Sequence, residues 1–245
     1  MKSLILINIG NTHVQVALHD SSGIRLLEQY DTADIKVLGH IPMLERMTVP
    51  WQASAVCVVP MAMELLERRY PGKIRFLTCR DFPQLDFSLV DASTLGMDRV
   101  ANAAAAFSMA RSAVAVIDFG TCINTVAVSQ DGHFLGGAIM PGRMLLRRSL
   151  SAYTAQLPLL PIRHDIPAPL GTNTMDAMAA GIDRGVLGSV KELIAATRSL
   201  PGMDRCPFVA AGGDAAFFLE NLPGMLQPGQ KLLTLLGVSL AADTQ

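Results

Sequence analysis

The sequence has no Cys-x-x-Cys pair, and its four cysteines, Cys57, Cys79, Cys122 and Cys206, stand far apart with no histidine at zinc-ligand spacing. That scatter gives neither a zinc site nor a disulfide framework, and it fits free thiols in a reducing compartment. An excess of charge of one sign is missing too. A formal net charge of −1 gives no reason to expect a nucleic-acid or anionic-membrane partner. No apolar run approaches the roughly 20 residues that span a bilayer; even "ANAAAAF" is bounded by Arg99 and Arg111. The opening "MKSLILINIGNTH" carries one Lys and a short apolar run that ends in polar residues without a small-residue cleavage pattern. It reads as a buried first strand and not as a signal peptide. The expectation is a soluble, cytoplasmic protein. The five histidines, the Met-rich pieces and the lone Trp51 form no constellation.

What is present is an apolar, Ala-rich chain, half hydrophobic and 17% charged, which describes a globular protein and excludes a disordered one. Its 245 residues suit one large domain or two modest ones. A repeat favours two. "LINIGNTHVQVAL" and "VIDFGTCINTVAV" share a design in which a polar turn interrupts two apolar runs. Laying Asn8 on Asp118 places Gly10 on Gly120 and Asn11 on Thr121, an offset of 110 residues.

Each copy opens on three strand candidates: residues 4–9, 13–18 and 24–30, then residues 113–118, 123–128 and 133–139. In the first half, strands at 53–59 and 73–77 flank a helix at 61–69, and "GMDRVANAAAAFSMARS" reads as a buried helix. In the second half, "GRMLLRRSLSAYTAQL" and residues 173–197 read as helices around the Pro-broken "PLLPIRHDIPAP". A strand at 206–211 runs into Gly212-Gly213, and a helix at 232–242 closes the chain. Two similar α/β domains, 1–112 and 113–245, are expected around a cleft.

A strand–Gly–polar–strand hairpin can offer backbone N–H groups to a phosphate, since Gly lets the backbone approach closely. Asp118 ends an apolar run, where a carboxylate needs a cation or donors; a magnesium ion held through water to phosphates would satisfy it, and so would capping of the next turn. Asp98 and Arg99 stand at a helix start freed by Gly96, where an anion is favoured. The spacing admits a helix-terminal charge, or a base for an alcohol beside a bidentate cation. Near "LGTNTMDAMAAG", helix capping by Thr172, Asn173 or Thr174 and ligand contact are both open. Gly212-Gly213 suits a nucleotide approach or a plain strand–helix turn.

The ordered blocks "LGMDRVANAAAA", "DFGTCINTVAVSQDGHFLGGAIMPG", "SLSAYTAQLPLLP" and "GTNTMDAMAAGI" resemble the type III pantothenate kinases, a family that includes proteins named Bvg accessory factors. The resemblance runs over residues 4–237, and several ordered motifs are more specific than one Gly-rich loop. It implies a duplicated actin-like fold of the sugar-kinase and heat-shock ATPase type. It also implies a homodimer, ATP-dependent phosphorylation of pantothenate in coenzyme A biosynthesis, magnesium, and potassium or ammonium. By motif, Asp98 would be the general base, Arg99 with Gly96 a pantothenate ligand, and Asp118 the acidic residue near the metal. Asn8, Gly10, Asn11, Thr12, Gly120 and Thr121 would line the phosphate channel, with Gly212 and Gly213 toward the nucleotide. Thr174 would reach pantothenate across the dimer interface.

Several positions depart from the family pattern. Asn8 replaces an Asp, Asn124 a Thr, Cys122 an Ala, and Leu89 a Tyr with Ala92 in place of a nearby Pro; Thr172 replaces a basic residue and Ala211 a Thr. Three readings follow: an active pantothenate kinase, a catalytically weak or inactive relative that senses a ligand or serves a partner, and a related enzyme acting on another small acid or amine.

Overall fold

The computed structural model describes residues 4–242. Its first strand, β1 (Leu4–Ile9), alternates so that Ile5, Ile7 and Ile9 enter one core while Leu6, fully buried, faces the opposite side. β2 (His13–Asp20) and β3 (Gly23–Asp31) continue an antiparallel meander, and β4 (Ala53–Cys57) and β5 (Ile74–Phe76) add parallel strands on the other side of β1. The sheet order is β3-β2-β1-β4-β5. Helices α1 (Thr32–Leu38) and α3 (Pro60–Arg69) place Ile35, Ala62 and Leu66 in the core with Ile5, Ile7 and Ile9. The short α2 (Pro42–Glu45) adds Leu44.

The second sheet is built from β6 (Val114–Phe119), β7 (Cys122–Val128), β8 (Phe134–Pro141), β9 (Phe208–Ala211) and β10 (Gln227–Pro228). Its order, β10-β9-β6-β7-β8, is the first sheet's order with every strand replaced by its counterpart. β6 pairs antiparallel with β7 and parallel with β9, as β1 does with β2 and β4. Alternate residues of β6, Ala115, Ile117 and Phe119, pack with Val186, Leu187, Val190 and Ile194 of α6 (Thr174–Arg198) and with Phe217 and Phe218 of α7 (Ala215–Asn221). α5 (Arg143–Tyr153) precedes the Pro-broken loop. The expected strands and helices are present; α1, α2, α7 and β10 are additions too short to carry a periodic apolar stripe.

The chain divides into two compact units, one comprising Met1–Met109, Gly132–Phe134 and Lys231–Gln245, the other Ala110–Asp131 and Leu135–Gln230. The last helix, α8 (Leu233–Ala242), thus belongs with the first sheet, where it packs on β1 and β4. It also meets α4 (Met97–Ala110), whose Ala101 carbonyl oxygen lies where a Cβ on Gly237 would be only 2.0 Å away. Thr234 donates to Asn102 Oδ1 at 2.8 Å in the same contact.

The Gly237→Ala substitution is therefore expected to destabilise the protein by about 1–3 kcal/mol, although Ala is favoured over Gly in helices. Urea unfolding of the two proteins checks the sign.

Candidate functional site

In the first unit the parallel pairing of β1 and β4 brings their carboxyl ends to one edge, where Val58 N–H donates to the Ile9 carbonyl at 3.0 Å. Ligands of open α/β sheets gather at such edges. The hairpin turn beyond β1 is closed by Gly10 N–H donating to the His13 carbonyl at 2.9 Å and leaves Asn11 and Thr12 exposed. Thr32, fully buried, fixes the turn from the start of α1: its hydroxyl donates to the Gly10 carbonyl at 2.7 Å and its N–H to the Thr12 carbonyl at 2.8 Å.

Asp98 stands in the first turn of α4, near the end of β4. Its Oδ1 accepts the Arg99 N–H at 2.7 Å, and its charge acts on the Cys57 thiol. A Cβ on Gly96 would lie 2.8 Å from Asp98 Oδ1, 3.2 Å from Arg99 Nε and 3.5 Å from Val58 Cγ1. Glycine there lets the helix start against the strand end with both charged side chains folded over it. Burial pushes the Asp98 carboxyl up from its ordinary value, while the Arg99 N–H and the Arg99 charge pull it down. A half-buried carboxyl with a raised affinity for protons is the kind of group that works as a general base.

Asn8 pairs in register with Gln15 on β2. Its Nδ2 donates to Gln15 Oε1 at 3.2 Å, and Gln15 Nε2 donates to Gln29 Oε1 at 3.2 Å, so three neutral amides form a row across β1, β2 and β3. The row engages the nitrogen of Asn8. Its Oδ1 is buried and accepts no hydrogen bond, which leaves one acceptor available at this position.

In the second unit Asp118 occupies the place of Asn8, and its antiparallel partner is Asn124, as Gln15 is for Asn8. On the parallel side it meets Ala211, and the chain then turns at Gly212 with φ +90°. A Cβ on Gly212 would lie 2.3 Å from Asp118 Oδ1 and 2.5 Å from the Phe119 carbonyl oxygen, so only glycine fits beneath the carboxylate. Gly120 approaches the same carboxylate, and Gly142 lies against the Gly120–Thr121 turn, where its N–H donates to the Thr121 carbonyl at 2.9 Å. A Cβ on Gly213 would meet nothing within 4 Å. The result is an edge of closely spaced backbone around one carboxylate, which suits a phosphate chain.

The two turns are not identical. Gly10 closes on His13 but Gly120 closes on Cys122, so the second turn is one residue shorter. The 110-residue offset holds along β1 and β6 and becomes 109 across the hairpins, where Gln15 answers to Asn124.

Among the described residues no group of three or more His, Cys, Asp or Glu side chains converges to hold a metal ion. With the neighbouring Asp214 paired to Arg143, Asp118 at the Gly212 edge would suit magnesium carried mainly by water and phosphate oxygens, and not an ion caged by protein. No helix among the described residues is long and apolar enough to cross a membrane.

Thr174 opens α6, where Asn173 is the cap: its Oδ1 accepts the Asp176 N–H at 3.0 Å. Thr174 is thereby left exposed with no capping task of its own. Leu89 lies in an exposed loop. The sequence reading did not single out Gln15, Thr32, Arg143, Arg147 or Asp183. Of these only the spacing of Arg143 and Arg147, one helical turn apart, gives a readable signal of a shared face.

Comparison with known proteins agrees with this architecture. The family profile of type III pantothenate kinase matches residues 4–196. A type III pantothenate kinase of Desulfatibacillum aliphaticivorans is 28% identical over 98% of this chain and 98% of its own. That of Akkermansia muciniphila is 30% identical over 89% of each chain. Among solved structures, a Baf family transcriptional activator from Campylobacter jejuni superposes with a TM-score of 0.64 at 19% identity, covering 98% of this chain and 97% of its own. An archaeal actin homologue superposes with a TM-score of 0.52 at 10% identity over the full length of both chains. The fold is thus the duplicated actin-like one, and by a profile that spans most of its length the chain belongs to the type III pantothenate kinase family.

Proposed function

We propose that the protein transfers the γ-phosphoryl group of ATP to the hydroxyl of pantothenate in coenzyme A biosynthesis. The observation that carries this reading is the half-buried Asp98 carboxyl, held at the start of α4 over Gly96 with Arg99 beside it. In the proposed reaction the pantothenate hydroxyl oxygen forms a bond to the γ-phosphorus, the bond from that phosphorus to the bridging oxygen breaks, and ADP leaves. Asp98 takes the hydroxyl proton. Arg99, with its planar guanidinium, suits the pantothenate carboxylate. The glycines of the Gly10–Thr12 and Gly120–Thr121 turns let phosphate approach the backbone closely, Gly212 and Gly213 leave room for the nucleotide, and Thr174 serves as a substrate contact.

Asp118 is the anionic anchor for magnesium, which would offset phosphate charge. Potassium or ammonium joins the proposal through family resemblance. So does a homodimer, supported by the exposed glycines Gly181, Gly185 and Gly188 along α6, which have open space where side chains would stand.

The neutral Asn8 row favours a second reading, in which turnover is weak and the chain acts as a ligand-sensing or accessory protein. A carboxylate at position 8 would accept but not donate, so Gln15 and then Gln29 would have to turn their amides to follow it. Asn8 can accept from water or donor groups through Oδ1, but it cannot balance the charge of a cation.

ADP formation with ATP, magnesium and potassium, with and without pantothenate, tests the reading directly; no pantothenate-dependent signal removes it. The Asp98→Asn variant should lose about 10²- to 10⁴-fold in kcat with an unchanged circular-dichroism spectrum. Because burial raises the Asp98 pKa, the acid limb of kcat/KM should lie above the ordinary aspartate value of 3.8 and vanish in that variant. The Asn8→Asp variant is expected to bind MgATP more tightly or turn over faster; a loss of both by calorimetry and assay would make Asn8 a working ligand. Light scattering at micromolar concentration should give twice the chain mass, and the single-chain mass would remove the dimer.

A further inference from the structure

Arg143, Arg147, Asp183 and Asp214 of the second unit form one network of ion pairs, and the kinase reading gives none of them a task. Arg143 is wholly buried, the first residue of α5 and the neighbour of Gly142. Its Nε donates to Asp183 Oδ1 at 2.9 Å, its Nη1 to Asp214 Oδ1 at 2.9 Å and its Nη2 to the Arg163 carbonyl at 2.6 Å. Its guanidinium stacks on the Phe217 ring, 3.5 Å from the centroid. Arg147, one turn later, donates from Nη2 to Asp183 Oδ2 at 2.8 Å, so Asp183 is shared by both cations.

The placement of this network gives it its meaning. The backbone just before Arg143 is locked to one glycine turn, since Gly142 N–H donates to Thr121 and a Cβ on Gly142 would meet the Gly120 carbonyl oxygen at 2.2 Å. The Arg143 side chain reaches the other glycine turn through Asp214, whose own N–H donates to the Phe119 carbonyl at 2.9 Å. Asp214 follows Gly212 and Gly213 directly. Arg143 therefore joins the Gly120–Thr121 turn to the Gly212–Asp214 turn, one through its backbone neighbour and the other through its side chain. It also neutralises a carboxylate that would otherwise stand unpaired close to where phosphate must come.

We infer that Arg143 is a positioning residue that fixes the spacing of these two turns, and hence the affinity of the second unit for the phosphates of ATP. Its role is distinct from that of Asp98, since its side chain is wholly buried and spent on protein acceptors. The inference rests on the kinase reading for the identity of the ligand. Lysine at this position would keep the charge but lose the planar fork that meets three acceptors in three directions. Asparagine at 214 would keep an acceptor for Arg143 and remove the ionic component.

The test uses the full chain. The Arg143→Lys variant should raise the Kd for MgATP by calorimetry, and the KM for ATP, by about 5- to 50-fold, while the KM for pantothenate stays within about twofold. The Asp214→Asn variant should shift the same two quantities in the same direction by less, and it decides the matter if Arg143→Lys does not fold. A general loss of structure would move both KM values together, so a parallel rise overturns the inference. A folded Arg143→Lys, or failing that Asp214→Asn, that binds MgATP as the unaltered protein does also overturns it and leaves the kinase reading standing. If the unaltered protein binds no MgATP, both fall.

Discussion

In each unit the first strand is hydrogen-bonded on one side to its hairpin partner and on the other to a parallel strand, and the placement of the site follows from that pairing. The parallel contact aligns the carboxyl ends of β1 with β4 and of β6 with β9. What comes next in the chain must then turn at the same edge: Gly10 after β1, Gly120 after β6, Gly212 after β9. The side chains nearest these turns, Asn8 and Asp118, hold equivalent places because the register that carries them is the same. Backbone groups, not a cluster of charged side chains, make up most of the edge, which agrees with a chain of nearly balanced charge.

Much of this could be read in the sequence because it depends on local pattern. The apolar runs on either side of the Gly10 and Gly120 turns and the offset between Asn8 and Asp118 are local features, and they pointed to two similar α/β halves. Asp98 was visible as a carboxylate at a helix start. The amide row was not visible, because Asn8, Gln15 and Gln29 meet only when three strands are laid side by side. Nor was the ion network: Arg143 and Asp183 are 40 residues apart, and an Arg in "RMLLRR" looks like the solvated face of an amphipathic helix until its surroundings are known. The shortened second turn was hidden because an alignment anchored on Gly10 and Gly120 does not show which residue closes each hairpin.

The two units treat charge differently. In the second, Asp118 lies over glycine backbone, and the nearby Asp214, although burial raises its pKa, is held by Arg143. In the first, Asn8 belongs to a neutral row with one acceptor left over. Buried ion pairs are costly to break, since removing one partner strands the other. A neutral amide is far more tolerant of change. The second unit is thereby committed to its electrostatic arrangement, and the first can exchange an amide for a carboxylate without a counter-ion to rearrange.

The location of α8 bears on how the chain is made. The helix that packs on β1 and β4, and whose Gly237 fits against Ala101, follows every element of the second unit in the chain. Translation delivers about 5–20 residues each second, so the contacts of β1 and β4 with α8 must wait for Leu233–Ala242 to emerge. The residues of the second unit all precede Lys231. In chain order, then, the first unit opens before the second and is completed only after it, when α8 joins β1 and β4.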